Sequence, residues 1–145
     1  MINTEKYYLQ TLAKTEDNLG FICTIGNIQM IEKAIKLGFP MSSKVLYWAC
    51  INKKVDIVKV LVDNKCPMEI LFIDRVCFNN PDNLEVIEIL AKVCKIDNII
   101  IGWAYQKGYK DLLKILVKNF DEEIDKEILD HARINLEMLN ILTKK

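Results

Sequence analysis

Arginine, proline, glycine and histidine are all scarce in this chain, and each scarcity removes a class of protein. Of 20 basic residues only Arg75 and Arg133 are arginine. The guanidinium fork is the side chain best suited to two-pronged reading of phosphate and guanine, so this balance argues against a dedicated nucleic-acid binder. With 3 prolines and 5 glycines in 145 residues, and 28% charged residues of both signs, the chain has the composition of a packed globule and not of a disordered tail. The glycines, Gly20, Gly26, Gly38, Gly102 and Gly108, stand singly, so neither GxGxxG nor GxxxxGK occurs and no phosphate cradle is indicated. The longest apolar run near the middle, Ile99 to Tyr105 around Gly102, is 7 residues. A membrane helix needs roughly 20. The first turns carry Glu5, Lys6, Glu16 and Asp17 in place of a signal-peptide core, so a cytoplasmic protein is expected, in a host cell's cytoplasm if the source is viral.

What is present is a 51% hydrophobic share and 20 acidic residues against the 20 basic ones, a net charge of zero. That suits one packed domain over 1–145. The five cysteines, Cys23, Cys50, Cys66, Cys77 and Cys94, are odd in number and never paired as CxxC. They read as reduced, buried thiols and not as a disulfide framework or zinc site.

Three of those cysteines expose a repeat. Cys23, Cys50 and Cys77 are 27 apart, with Ala104 at the next step. Further along each unit, segments beginning at Gly26, Lys53, Asp82, Gly108 and Ile134 superimpose, their starts separated by 27, 29, 26 and 26. The second interval is the longest because Asn79-Asn80-Pro81-Asp82 lengthens the inner turn of the third unit by two residues. Within units the apolar spacing is helical: Val55, Val58, Leu61 and Val62 form one stripe, and Leu112, Leu113, Leu116 and Val117 another. Ser42 or Ser43 and Asp97 are expected N-caps, Gly38 a left-handed helix stop, and Pro40 and Pro67 punctuate the returns. A helical hairpin cannot bury its stripe alone, so neighbouring hairpins must stack. The expected fold is an all-α solenoid of about five helical-hairpin repeats, at 17–40, 41–67, 68–95, 96–120 and 121–145, behind a capping helix within 1–16 over Thr4 to Lys14.

The units resemble the ankyrin-repeat family. Trp48-Ala49-Cys50-Ile51-Asn52, Lys53-Lys54 and Val55-Asp56-Ile57-Val58-Lys59-Val60-Leu61-Val62 follow that family's first helix, turn and second helix, as do Trp103 to Tyr109 and Asp111 to Val117. The Thr-Pro-Leu-His opening is missing, and a period of 26–29 leaves little room for a protruding hairpin finger. With Cys66-Pro67 between units, the chain is similar to the short, degenerate variety common in protists and large DNA viruses. The resemblance implies a noncatalytic module, or a viral or host-directed adaptor, that binds another protein through the concave face made by the first helices and turns. Carried over to this chain, the contact positions are Ser43, Lys44, Tyr47, Asn52, Asp74, Arg75, Asn98, Tyr105 and Gln106. It also implies that Trp48 and Trp103 occupy equivalent packing positions, where truncation is expected to cost about 3–5 kcal/mol.

Other chemistry has thinner support. His131 is the lone histidine, without a nucleophile or other ligands nearby in sequence. The acidic run Asp121, Glu122, Glu123, Asp125, Glu127 and Asp130 could serve a small-ligand site, metal site or enzyme, but reads first as a solvated end cap, and it lacks the Asp-x-Asp-x-Asp-Gly pattern of a calcium loop. Lys92, Lys95, Lys107, Lys110, Lys114 and Lys118 face only Asp97 and Asp111 along their stretch, a lysine-rich face that usually serves solubility. The expectation is no cofactor, no metal and no catalytic residue, in a monomer or a weak dimer through an end repeat.

Overall fold

The computed structural model describes residues 4–144, and every regular element among them is a helix. The outermost positions of the 1–16 and 121–145 segments lie outside the described residues. The helices are α1 (Thr4–Thr11), α2 (Glu16–Ile25), α3 (Ile28–Lys36), α4 (Ser43–Ile51), α5 (Val55–Asp63), α6 (Phe72–Asn79), α7 (Leu84–Ala91), α8 (Asn98–Lys107), α9 (Lys110–Lys118), α10 (Lys126–Ala132) and α11 (Leu136–Thr143). Internal packing divides them into two compact units, Met1–Ile70 and Leu71–Lys145.

In the first unit α2 packs on α3 and on α4, while α5 packs on α3 and α4. Hairpins α2/α3 and α4/α5 therefore lie side by side, first helix on first helix and second on second. In the second unit α6 packs on α7, α8 on α9 and α10 on α11, and the second helices associate as α7 on α9 and α9 on α11. The opening helix is shorter than the expected Thr4 to Lys14, ending at Thr11, and it buries Leu9 while Tyr7 is exposed.

The second helices start at Ile28, Val55, Leu84, Lys110 and Leu136, which reproduces the intervals of 27, 29, 26 and 26. The first helices keep a different count. Their fully buried position is Ile22, Ala49, Val76, Ala104 and Ala132, all 0% exposed, at intervals of 27, 27, 28 and 28. The cysteine ladder is thus corrected at its fourth step: Cys23, Cys50 and Cys77 each follow this position by one, and their counterpart is the half-buried Tyr105, not Ala104. The capping residues agree with that register. Thr15, Ser42 and Asp97 are N-caps whose side-chain oxygens accept from Asn18 N at 3.2 Å, Val45 N at 3.3 Å and Ile100 N at 3.1 Å.

Four helix stops, after α3, α4, α5 and α8, follow one plan, although the residues that supply it differ. Gly38 (φ 89°) and Gly108 (φ 71°) are left-handed, as are Lys65 (φ 61°) and Lys53 (φ 55°) at the corresponding places. At all four ends the following N–H closes a six-residue loop: Phe39 N to Ala34 O at 3.1 Å, Cys66 N to Leu61 O at 3.0 Å, Lys54 N to Ala49 O at 2.9 Å and Tyr109 N to Ala104 O at 3.1 Å. Leu71, before α6, is also left-handed (φ 63°).

Polar ties one period apart join neighbouring hairpins. Lys44 Nζ meets Asp17 Oδ1 at 3.3 Å, and Ser43 Oγ donates to Glu69 Oε1 at 3.0 Å. In the second unit Asn98 Nδ2 donates to Glu123 O at 3.0 Å and its Oδ1 accepts from Asp125 N at 2.9 Å. Lys95 and Lys110 pair with Glu122 at 3.1 Å and Glu137 at 2.7 Å.

Candidate functional site

The residue just before each fully buried first-helix position faces outward: Phe21, Trp48, Arg75, Trp103 and His131. Adjacent helical residues lie about 100° apart around the axis. A side chain one place from the most buried position is therefore carried to the shoulder of the core. Arg75 and His131 are exposed, Phe21 is 49% exposed, and both tryptophans are half-buried.

Trp48 and Trp103 do occupy equivalent places, but their surroundings differ. The Trp103 ring is met edge-on by Phe78 from α6 at 4.8 Å between centroids and by Tyr109 at 5.4 Å. Contact between successive first helices is thus carried by rings, in line with the expected packing role. Their partial exposure makes 3–5 kcal/mol too large for either truncation, because much of each surface is never withdrawn from water. Beside Trp103, Gly102 lets α10 approach: a Cβ there would stand 3.3 Å from Ile128 Cδ1.

The nine expected contact residues fall into three groups. Lys44, Asn52, Arg75 and Gln106 are exposed, Ser43, Tyr47, Asn98 and Tyr105 half-buried, and Asp74 buried. Ser43, Lys44 and Asn98 hold neighbouring hairpins together through the ties above, and Asn52 Nδ2 donates to Trp48 O at 2.8 Å. Asp74 requires correction, since it is only 5% exposed and is no surface contact. Its place in α6 corresponds to Gly20 and Tyr47, which are also withdrawn from full exposure. Burial first, and then the Asp97 carboxylate, push the Asp74 carboxyl up to about 6.

The sequence reading passed over the apolar side chains of the first unit's face. Phe21 and Ile25 are 49% and 55% exposed on α2, and Ile51 is 37% exposed on α4 beside Trp48. Phe21 stands one residue before the buried Ile22, Ile25 three after it and Ile51 two after the buried Ala49, offsets that become visible only once that position is fixed.

The remaining chemical candidates separate cleanly. Burial raises the Cys23, Cys66 and Cys94 thiols to about 11 and Cys77 to about 12, far from a reactive thiolate. All five cysteines are free thiols and only Cys94 is not fully buried. His131 is exposed in the last turn of α10, and its neighbour Asp130 pairs with Arg133 at 3.0 Å. Among the described residues no group of three or more His, Cys, Asp or Glu side chains is placed to hold a metal ion, and no helix is long and apolar enough to cross a membrane. Of the six lysines on the expected basic face, Lys95, Lys110 and Lys114 have carboxylate partners, the last with Asp111 at 3.6 Å. That face is therefore partly neutralised.

No family model, curated protein or solved structure matches the chain. The fold defines a class, an all-α protein of helical hairpins packed on their neighbours.

Proposed function

We propose that the hairpins are short ankyrin-like repeats with solenoid packing within each unit, and that the chain is a noncatalytic module that binds another protein through the outer faces of its first helices and their turns. The observation that carries this reading is the outward position filled by Phe21, Trp48, Arg75, Trp103 and His131. Aromatic and arginine side chains dominate binding energy at protein interfaces, and here they recur at one register of a repeated scaffold. The buried, protonated thiols support a binding rather than a catalytic reading.

The test is affinity capture from a lysate of cells that naturally contain the protein. The native chain is compared with a Phe21→Ser, Ile51→Ser, Gln106→Glu variant and with a Lys59→Glu, Lys118→Glu control altered on second helices. A protein retained by the native chain and the control but lost from the folded face variant is the expected result. Equal retention by all three, or substrate turnover by the purified chain, contradicts the reading.

A further inference from the structure

The hairpin α10/α11 keeps apolar residues that the other hairpins bury, yet leaves them in contact with water. In α2, α4, α6 and α8 the residue three before the fully buried position is Leu19, Leu46, Ile73 or Ile101, all withdrawn from solvent. Its counterpart in α10, Leu129, is half-buried. On the second helices Ile31, Val58, Ile87 and Leu113 are fully buried, whereas their counterpart Leu139 is half-buried. Leu136, the first residue of α11, is 70% exposed where Ile28, Val55 and Leu84 are half-buried.

These residues share one side of the hairpin, the side by which α8/α9 meets α10/α11. Asn98, in the place of Lys126, bonds Glu123 O and Asp125 N, and Lys110, in the place of Leu136, pairs with Glu137. Gly102, in the place of Asp130, lies against Ile128. Ile128 therefore points back toward α8, and Lys126, Asp130 and Arg133 lie about 140–160° around α10 from it. A side with leucines at these places fits another helical hairpin. Its charges decide which one. Asp130 and Arg133, both exposed, pair at 3.0 Å, so the face holds one acid and one base a turn apart. An ion pair in water contributes little and can exchange partners. Turned through a two-fold axis, an identical face sets Arg133 against the second copy's Asp130 and Asp130 against its Arg133, the self-complementary pattern that an isologous interface requires. Leu129 and Ile134 bracket those charges, so the same reversal places an apolar residue opposite an apolar one. With a net charge of zero, two copies approach without long-range repulsion.

We infer that this side of α10/α11 receives a second copy of the chain in a closed two-fold dimer, with Leu129, Leu136 and Leu139 packed against the same hairpin of the other copy and Asp130 and Arg133 paired crosswise. The surface is turned away from α8, and the inference stands independently of the partner-binding face proposed above. Crossed pairs of opposite sign fix the register of the two hairpins more than they add affinity, which comes from the leucines.

Sedimentation velocity of the full chain from about 1 to 500 µM is the test, because mass action makes a dimer's population depend on concentration. The native chain should pass from monomer to dimer in that range and stop there. Asp130→Arg or Arg133→Glu alone sets like charges across the axis and should weaken the dimer about tenfold, as should Leu136→Ser. All three positions are exposed, so circular dichroism should report unchanged folding. Mixing the Asp130→Arg chain with the Arg133→Glu chain restores opposite charges at both crossings. The equimolar mixture should therefore regain the native dissociation constant to within about threefold, and so should a chain carrying both changes. A native chain that stays monomeric throughout, that grows past the dimer into longer assemblies, or that dimerises as well with Leu136→Ser overturns the inference. A mixture no tighter than either variant alone overturns it too.

Discussion

The two units place the same register position in different company. In Leu71–Lys145 the tryptophan of that position, Trp103, is edge-packed by Phe78 and Tyr109, and the flanking members are the polar Arg75 and His131. In Met1–Ile70 the position is Phe21 and Trp48, followed by Ile25 and Ile51, with no charge between them and the turn. One scaffold thus carries an aromatic position that is met by two rings of its own chain in one unit and is flanked by the exposed Phe21, Ile25 and Ile51 in the other. Equivalence of backbone register does not imply equivalence of surroundings.

The comparison first requires that the buried register be the same in both units. Leu46 and Ile101 hold it three residues before Ala49 and Ala104, each fully buried. Leu46→Ala and Ile101→Ala should each cost about 2–5 kcal/mol in urea unfolding. A loss below 1 kcal/mol in either, against several in the other, would break the alignment of the units.

The ring-packed Trp103 and its counterpart Trp48 should then differ. Trp103→Ala loses two edge-packed ring contacts as well as partial burial, about 2–3 kcal/mol, whereas Trp48→Ala should lose about 1 kcal/mol less. Equal losses would mean that Trp48 is as thoroughly packed as its counterpart.

A pH effect in the acid range comes from the second unit, where Asp74 stands at the place of Gly20 and Tyr47 in the first. Its carboxyl titrates at about 6 when folded against an ordinary 3.8, so the folded chain binds the proton more tightly than the unfolded one. Stability is therefore highest below the ordinary value and declines as pH rises through about 6. Asp74→Asn should gain about 1–2 kcal/mol at pH 7.5, after allowance for solvent screening, and nothing at pH 3.5. Denaturant midpoints at the two pH values test it; a gain of the same size at both would assign the effect to packing.

Smaller effects come from the stops. Lys53 and Lys65 occupy left-handed positions that Gly108 and Gly38 fill elsewhere. Lys65→Gly should stabilise by up to about 1 kcal/mol, as relief of that conformation offsets glycine's greater unfolded-state entropy. Smallest of all, the exposed Lys44–Asp17 pair should show a double-mutant coupling under about 0.5 kcal/mol that fades in high salt.

Much of the fold was legible because helix-forming units of similar length leave a period in the apolar pattern. The second helices begin at the intervals written in Gly26, Lys53, Asp82, Gly108 and Ile134, Ser42 and Asp97 cap through their side-chain oxygens, and Gly38, which has no Cβ, takes the left-handed stop. The first-helix register was harder to see. A small residue marks a buried place only when its neighbours are large, and Ala104 precedes Tyr105 where the earlier units have two small or aliphatic residues together. The site was less legible again. Asp74 looked exposed because carboxylates usually are, and Trp48 looked buried because tryptophan usually is, yet a single step along a helix decides both.

Position-resolved photo-crosslinking bears most directly on the central claim. A benzophenone side chain is placed singly at Ile25 on the first unit's open face, at Gln106 on the second unit's first helix, and at Lys59 and Lys118 on second helices, and each chain is illuminated in lysate. The account predicts a discrete protein adduct strongest from Ile25, weaker from Gln106 and absent from Lys59 and Lys118. An adduct that forms only from Lys59 or Lys118, with Ile25 silent, would contradict it.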